Sequence, residues 1–224
     1  MTMPLTVKAD ARSIQDLMTR IDAQFPPGRG RLTGFIASGE DEGTSTLALA
    51  YAQAVCSQMR RRVLLLDAGS EQPGGPVAGR ASLAGMLAFL SGDRMTASSP
   101  GARRADAVGA LRADAAGALR AGAAGEPEDE RSVWELLPRT DLWYALREQY
   151  DEVVIDLPAP SVSRVGLAVA PYCDGVAVVI EAERTRSPVA ESLVAHLRSV
   201  RARVLGAVLN KRRFHLPAPV YRLL

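Results

Sequence analysis

Asp67 closes the apolar run 63–66, and Asp156 closes a second one, 153–155. An acid at the exit of a buried strand is placed to hold Mg²⁺ or its water, and it reads equally well as a strand-end residue kept by the fold. Ahead of both lies Ala37-Ser-Gly-Glu-Asp-Glu-Gly-Thr-Ser-Thr46, a polar turn with glycines. Such a turn between a strand and a helix can face its backbone N–H groups to phosphates. Full phosphate chemistry also asks for a lysine beside the β and γ phosphates and a Ser or Thr hydroxyl for Mg²⁺. Gly39 and Gly43 supply glycines, and Ser45 supplies the hydroxyl, followed by Thr46; Thr44 stands where the lysine belongs. The chain has two lysines, Lys8 and Lys211, and neither falls in the turn. The turn instead carries Glu40, Asp41 and Glu42. At about 6 Å and an effective dielectric of about 20, each carboxylate costs roughly 3 kcal/mol against one phosphate charge before solvent screens it. These residues describe a site for weakly held Mg-ATP or Mg-ADP, with Ser45, Asp67 and Asp156 as Mg²⁺ ligands and no nucleotide required. Efficient phosphoryl transfer, which depends on positioned positive charge, is not expected.

The elements that would position these groups follow from periodicity. Ser13, Ile14, Leu17, Met18, Ile21 and Phe25 recur at helical spacing and predict a helix over 13–25, broken by Pro26, Pro27, Gly28 and Gly30. Residues 32–37 predict a strand, 45–59 a helix, and 63–66 a strand buried on both faces, which together make a βαβ unit. The second half repeats the logic. It predicts a helix over 134–149, with Leu136, Leu137, Leu142 and Leu146 at core spacing, strands over 152–155 and 175–180, a helix over 188–200 and a last strand over 204–209. Alternating strands and helices predict an α/β fold with an open, mainly parallel sheet and helices on both faces. The division expected is an N-terminal helix and linker over 1–30 and one sheet domain over 31–224.

Residues 70–130 break the pattern. A short helix is predicted over 81–90. Then Ala105-Asp-Ala-Val-Gly-Ala-Leu-Arg112 is followed by the near-duplicate Ala113-Asp-Ala-Ala-Gly-Ala-Leu-Arg120. Eight is not the period of a solenoid repeat, and expansion of a GC-rich coding stretch accounts for it. This low-complexity insertion, about 97–128, is expected to be poorly ordered or weakly helical, because Ala, Gly and Arg offer little apolar area against ordering entropy.

Bulk properties exclude some classes. The 224 residues, 47 % hydrophobic, are enough for one domain with a core. No apolar run approaches the 18 or so residues of a membrane span, and the first 20 residues lack a signal-peptide pattern. Cys56 and Cys173 sit in apolar runs and read as buried thiols, which with the missing signal predicts a cytoplasmic protein. His196 and His215 are isolated and lack metal-site spacing. The net charge of +2 points to no partner, and Arg60–Arg62 and 211–213 are short basic clusters, so nucleic-acid binding is not expected. The tail 211–222 reads as a solvated extension or as a docking segment for an inner-membrane partner or anionic headgroups.

Four motifs in order resemble the bacterial tyrosine kinases (BY-kinases) that accompany capsule and exopolysaccharide synthesis, a branch of the MinD/ParA P-loop proteins. The turn 37–46 resembles the family's first phosphate motif, S-x-x-P-G-E-G-K-S-T, with Glu42, Gly43, Ser45 and Thr46 matching; Glu40, Asp41 and Thr44 depart at its Pro, Gly and Lys. Arg62-Val-Leu-Leu-Leu-Asp-Ala-Gly-Ser70 resembles V-L-L-I-D-A-D, keeping Asp67 and losing the second acid at Gly69. Tyr150-Asp-Glu-Val-Val-Ile-Asp-Leu-Pro158 is similar to Y-D-x-V-I-I-D-x-P and keeps Asp156. Asp174-Gly-Val, Thr185-Arg186 and Leu205-Gly-Ala-Val-Leu-Asn210 look like the remaining elements. The resemblance implies a P-loop NTPase-like fold, a nucleotide site over Gly39, Glu42–Thr46 and Asn210, and a base contact at Asn210. It implies an inner-membrane polysaccharide co-polymerase or other export component as partner, self-association, and a place at the inner face of the inner membrane. The family's C-terminal tyrosine cluster is reduced here to Tyr221 over the last 50 residues, and 13–20 lacks its E-x-x-R-x-x-R assembly motif. The leading expectation is a degenerate BY-kinase, a pseudokinase regulator or scaffold of polysaccharide export, with Asp67 and Asp156 as vestigial catalytic acids. The alternatives are an active ATPase or tyrosine autokinase with a substituted cation, for which Arg184 and Arg186 are the first suspects, and a ParA/MinD-like positioning protein.

Overall fold

Runs of Val, Leu and Ile bounded by turn residues become the strands of one sheet. The computed structural model describes residues 5–6, 11–69, 81–83, 111–113, 119–121, 134 and 137–211. In chain order the elements are β1 (Leu5–Thr6), α1 (Ala11–Asp22), β2 (Arg31–Ala37), α2 (Thr44–Met59), β3 (Val63–Asp67), β4 (Ala81–Ser82), β5 (Leu111–Ala113), β6 (Leu119–Ala121), α3 (Thr140–Gln149), β7 (Glu152–Leu157), α4 (Val165–Val169), a 3₁₀ turn (Ala170–Tyr172), β8 (Gly175–Glu181), α5 (Ser187–Ser199) and β9 (Val204–Asn210). Seven strands pair in the order β1-β9-β8-β2-β7-β3-β4, every pair parallel, with β2 at the centre.

The period of two along each strand divides the core between the two faces. Leu32, Ile36, Leu64, Leu66, Val153 and Ile155 pack on one side with Leu142, Trp143 and Leu146 of α3 and Leu193 and Leu197 of α5. Phe35, Leu65, Val154, Ala177 and Val179 pack on the other, under Leu17 and Ile21 of α1 and Leu47, Tyr51 and Val55 of α2. Such a doubly covered sheet leaves its strand ends as the accessible edges. In open α/β sheets the carboxyl edge is where ligands bind. The chain leaves β2 for β3 and later inserts β7 between them, so the β2–α2 turn lies where strand order reverses.

The structure has the α/β architecture read from the motifs, and it moves several boundaries. The first helix ends at Asp22, and Gln24 and Phe25 continue as a turn donating to Ile21 O and Asp22 O. The predicted helix 134–149 is cut at Pro138, whose ring and missing N–H are incompatible with a helix interior. A turn at 137–138 precedes α3, and Leu137 O accepts a bond from Trp143 Nε1 at 3.0 Å. Leu136 lies outside the described residues. Ala81–Ser82, assigned to a short helix, instead pairs with β3. Most of 97–128 lies outside the described residues. What is described there is an antiparallel pair, Leu111–Ala113 with Leu119–Ala121, rather than helix. Those tripeptides are the same Leu-Arg-Ala of the two repeat copies. Cys173 is buried and Cys56 is half-buried, both as free thiols; burial pushes the Cys173 thiol up to about 12. Among the described residues no helix is long and apolar enough to cross a membrane.

Candidate functional site

The four long strands other than β8 deliver the sequence-predicted residues to one edge. Asp67 ends β3, and in parallel register it sits opposite Asp156 on β7. The turn leaves β2 after Ala37, and Asn210 ends β9. Asp156 is 6 % exposed. Asp67 is half-buried, and its Oδ1 accepts the Gly69 N–H at 2.8 Å. The turn, the two acids, Gly69 and Pro158 line a cleft of about 770 Å³.

The turn enters α2 through Gly43, whose φ of +87° suits a residue without a Cβ, and Leu47 N donates to Gly43 O. Asp41, at the position of a glycine in the BY-kinase pattern, is itself left-handed at φ +60°. The backbone thus keeps the conformation that a glycine would favour and accepts the strain of a side chain there. Thr44 opens α2, with Ser45 and Thr46 exposed behind it.

Glu42 departs most from its expected place. The charge argument counted it among carboxylates opposing a phosphate, but it is 7 % exposed. Its Oε1 accepts from Ser38 Oγ at 2.9 Å and Thr185 Oγ1 at 3.0 Å, and its Oε2 has no donor among the described residues. It is a pinned part of the turn, while Glu40 and Asp41 remain exposed. Asn210, 6 % exposed, donates from Nδ2 to Glu42 O at 2.9 Å. A Cβ added at Gly43 would fall 2.4 Å from that amide nitrogen, so glycine is also the residue that lets β9 approach.

Two contacts were not foreseen. Lys211, which sequence reasoning set aside because it lies far from the glycines, follows β9 directly and lines the same cleft. Its ammonium donates to Asp41 O and lies 3.3 Å from Glu181 Oε2. Thr185, noted for its motif alone, bonds Glu42. The signal for Lys211 was available: it is one of two lysines in an arginine-rich chain and it sits at a strand's carboxyl end. Arg184 and Arg186, the suspected replacement cations, line an adjoining cleft of about 610 Å³ that shares Gly39, Glu40, Asp41 and Glu42 of the turn, and Arg184 pairs with Glu181 at 3.3 Å.

The residues fit a Mg-nucleotide in type. A hydroxyl at Ser45 and two acids in register, Asp67 and Asp156, are hard-oxygen groups of the kind that would hold Mg²⁺ together with phosphate oxygens rather than in an all-protein cage. Among the described residues no group of three or more His, Cys, Asp or Glu side chains is placed to hold a metal ion. Bound there, Mg²⁺ would offset phosphate charge that the turn itself does not neutralise.

The opposite edge of the sheet carries a buried ionic network. Glu152, fully buried, takes Arg31 Nε at 2.5 Å and Thr33 Oγ1 at 2.6 Å, and Arg31 also bonds Asp22 at 2.9 Å. Burial pushes the Glu152 carboxyl up, with Arg31 opposing the shift. It joins β2 to β7 far from the cleft.

No family model matches the chain. The chain is 27 % identical over 202 residues to the succinoglycan biosynthesis transport protein ExoP of Rhizobium meliloti (strain 1021). That match covers 90 % of this chain and 25 % of ExoP, so the chain spans about a quarter of that relative. Among solved structures, the kinase domain of the Escherichia coli tyrosine kinase ETK superposes with a TM-score of 0.64 at 16 % identity, covering 92 % of this chain and 78 % of that one. The VpsO kinase domain superposes with a TM-score of 0.61 at 23 % identity, covering 92 % and 93 %. The fold is therefore that of the BY-kinase domains, as the motifs implied.

Proposed function

We propose that this protein is a degenerate BY-kinase-like regulator or scaffold of exopolysaccharide or capsule export. In this reading it acts at the inner face of the inner membrane on a polysaccharide co-polymerase or another export component, and it self-associates. The observation that carries the reading is Thr44. It opens α2 at the place that the lysine takes in the BY-kinase pattern, directly after a glycine in the left-handed conformation. Gly69, in place of a second acid beside Asp67, removes another part of the phosphoryl-transfer apparatus. The likeness to a succinoglycan transport protein supports the polysaccharide context. Nucleotide, where it binds, serves as a ligand that sets the state of the turn, and Asp67 and Asp156 hold its Mg²⁺.

The purified protein should neither hydrolyse ATP at kinase-like rates nor acquire phosphotyrosine, and Asp156→Asn should change neither measurement. Turnover that Asp156→Asn abolishes would replace this reading with an active kinase. Co-purification of a co-polymerase with the tagged chain from solubilised membranes tests the partner; its absence under conditions that retain other cytoplasmic-face proteins would remove that assignment.

A further inference from the structure

We propose that Lys211 is the phosphate-binding cation of this site, and that the charge absent from Thr44 is delivered across the cleft from the end of β9 to a Mg-complexed diphosphate group. The proposal rests on the reading of 37–46 as a phosphate loop without its own lysine.

Three observations carry it. First, Lys211 is on the wall of the cleft that Gly43, Thr44, Ser45, Asp67 and Asp156 share. Its Cε lies 3.5 Å from the point where a Cβ on Gly43 would stand, against the entrance to α2. Second, it is a tethered cation rather than a freely solvated one. Its ammonium is held by Asp41 O and Glu181 Oε2, and its side chain is still 43 % exposed. An ammonium has three N–H donors, and these contacts engage two of them, which leaves a donor for a ligand oxygen. Third, β9 grips two consecutive turn carbonyls, Asn210 on Glu42 O and Lys211 on Asp41 O. The cation therefore moves with the turn that would cradle the phosphates.

Glu181 competes with the phosphate for Lys211. With its carboxylate 3.3 Å from the ammonium, a ligand must share that charge, which accounts for a weak site rather than none.

The test is calorimetric titration of the full chain with Mg-ADP and with Mg-pyrophosphate. ADP keeps the measurement independent of phosphoryl transfer, so a failure here and a failure of the pseudokinase reading are separately visible. Wild type should bind both ligands. Lys211→Gln should weaken both by about tenfold, the loss expected for one charge-assisted contact. Glu181→Gln should tighten both by a few-fold, since it frees the ammonium, and Thr44→Lys in the Lys211→Gln background should recover the loss. A lysine with no part in binding would leave the Glu181→Gln effect unchanged in the Lys211→Gln background, whereas a phosphate-binding lysine predicts that most of that effect is lost there. Wild-type binding unchanged in Lys211→Gln overturns the proposal, as does no binding by folded wild type. Loss for Mg-ADP with Mg-pyrophosphate unaffected would place the lysine at the base or ribose, and also overturns it. If Lys211→Gln does not fold, Glu181→Gln alone decides: tighter binding supports the proposal and unchanged binding refutes it.

Discussion

Thr44 and Gly30 show two ways in which one side chain matters. A lysine at 44 would stand at the start of α2, where backbone N–H groups already favour an anion. Thr44→Lys should tighten Mg-ADP binding by about tenfold, measured by calorimetry, as expected for one charge-assisted bond. Gly30 is constrained by contact: a Cβ there would lie 2.0 Å from Arg147 O and 2.3 Å from Tyr150 O, both backbone atoms of α3 and its C-cap. Gly30→Ala should lower unfolding stability by about 1–3 kcal/mol in denaturant titration, because the close approach of β2 to the end of α3 must open. Nothing in the spacing of Gly28 and Gly30 distinguished these roles. Gly28 has left-handed φ and open space, whereas Gly30 has the crowding.

At the scale of elements, two pairs of charges join β3 and β7 or β2 and β7 in different ways. Asp151 accepts from Arg62 N and from Arg62 Nη2, each at 2.8 Å, and the arginine beside it holds its carboxyl below the usual range. A depressed carboxyl contributes stability above its unfolded value of 3.8 and loses it as pH falls through the lower native value. The pair is largely exposed, so the stability gap between wild type and Arg62→Ala should be at most about 1 kcal/mol near neutrality and should close at acid pH. Glu152 is buried, and removing it takes the buried acceptor from both Arg31, which is 6 % exposed, and Thr33, and leaves the guanidinium with Asp22 as its remaining carboxylate. Glu152→Ala should therefore cost about 3–5 kcal/mol, visible as a large drop in Tm. The elements themselves were legible where periodicity was long and unopposed: β2, α2, β3, β7, β8, α5 and β9 fall within a few residues of their expected places. They failed where a backbone rule cut across the pattern, as Pro138 did inside the helix expected over 134–149. They failed also where pairing alone decided, as at Ala81–Ser82, too short to show an alternation.

At the scale of the molecule, β2, β7 and β8 are flanked on both sides by long strands, whereas β3 and β9 each have a two-residue strand on one side, so the amides of β2, β7 and β8 should exchange slowest with solvent. The turn 39–43 depends on a distant strand. Asn210→Ala leaves Glu42 O without that donor, and exchange at the turn amides should rise while β2 stays protected, as mass spectrometry would register. The site was half legible for the same reason. The residues contiguous in sequence, Gly39 to Thr46, and the strand-end acids could be read directly. The lysine, the Thr185 hydroxyl and the pinning of Glu42 come from register between β8, β9 and the turn, which no local pattern encodes.

The clamp from β9 also sets a schedule for biosynthesis. Glu42 and the Asn210 amide that holds its carbonyl are 168 residues apart. At translation rates of about 5–20 residues per second, the loop emerges on the order of ten to thirty seconds before its clamp does. β7, β8 and Thr185 become available to β2 and the turn only late in that interval, and β9 with Lys211 only at its end. The clamped form of the turn can therefore assemble only once residues 210 and 211 have left the ribosome, and a ligand that needs the clamp must arrive after that.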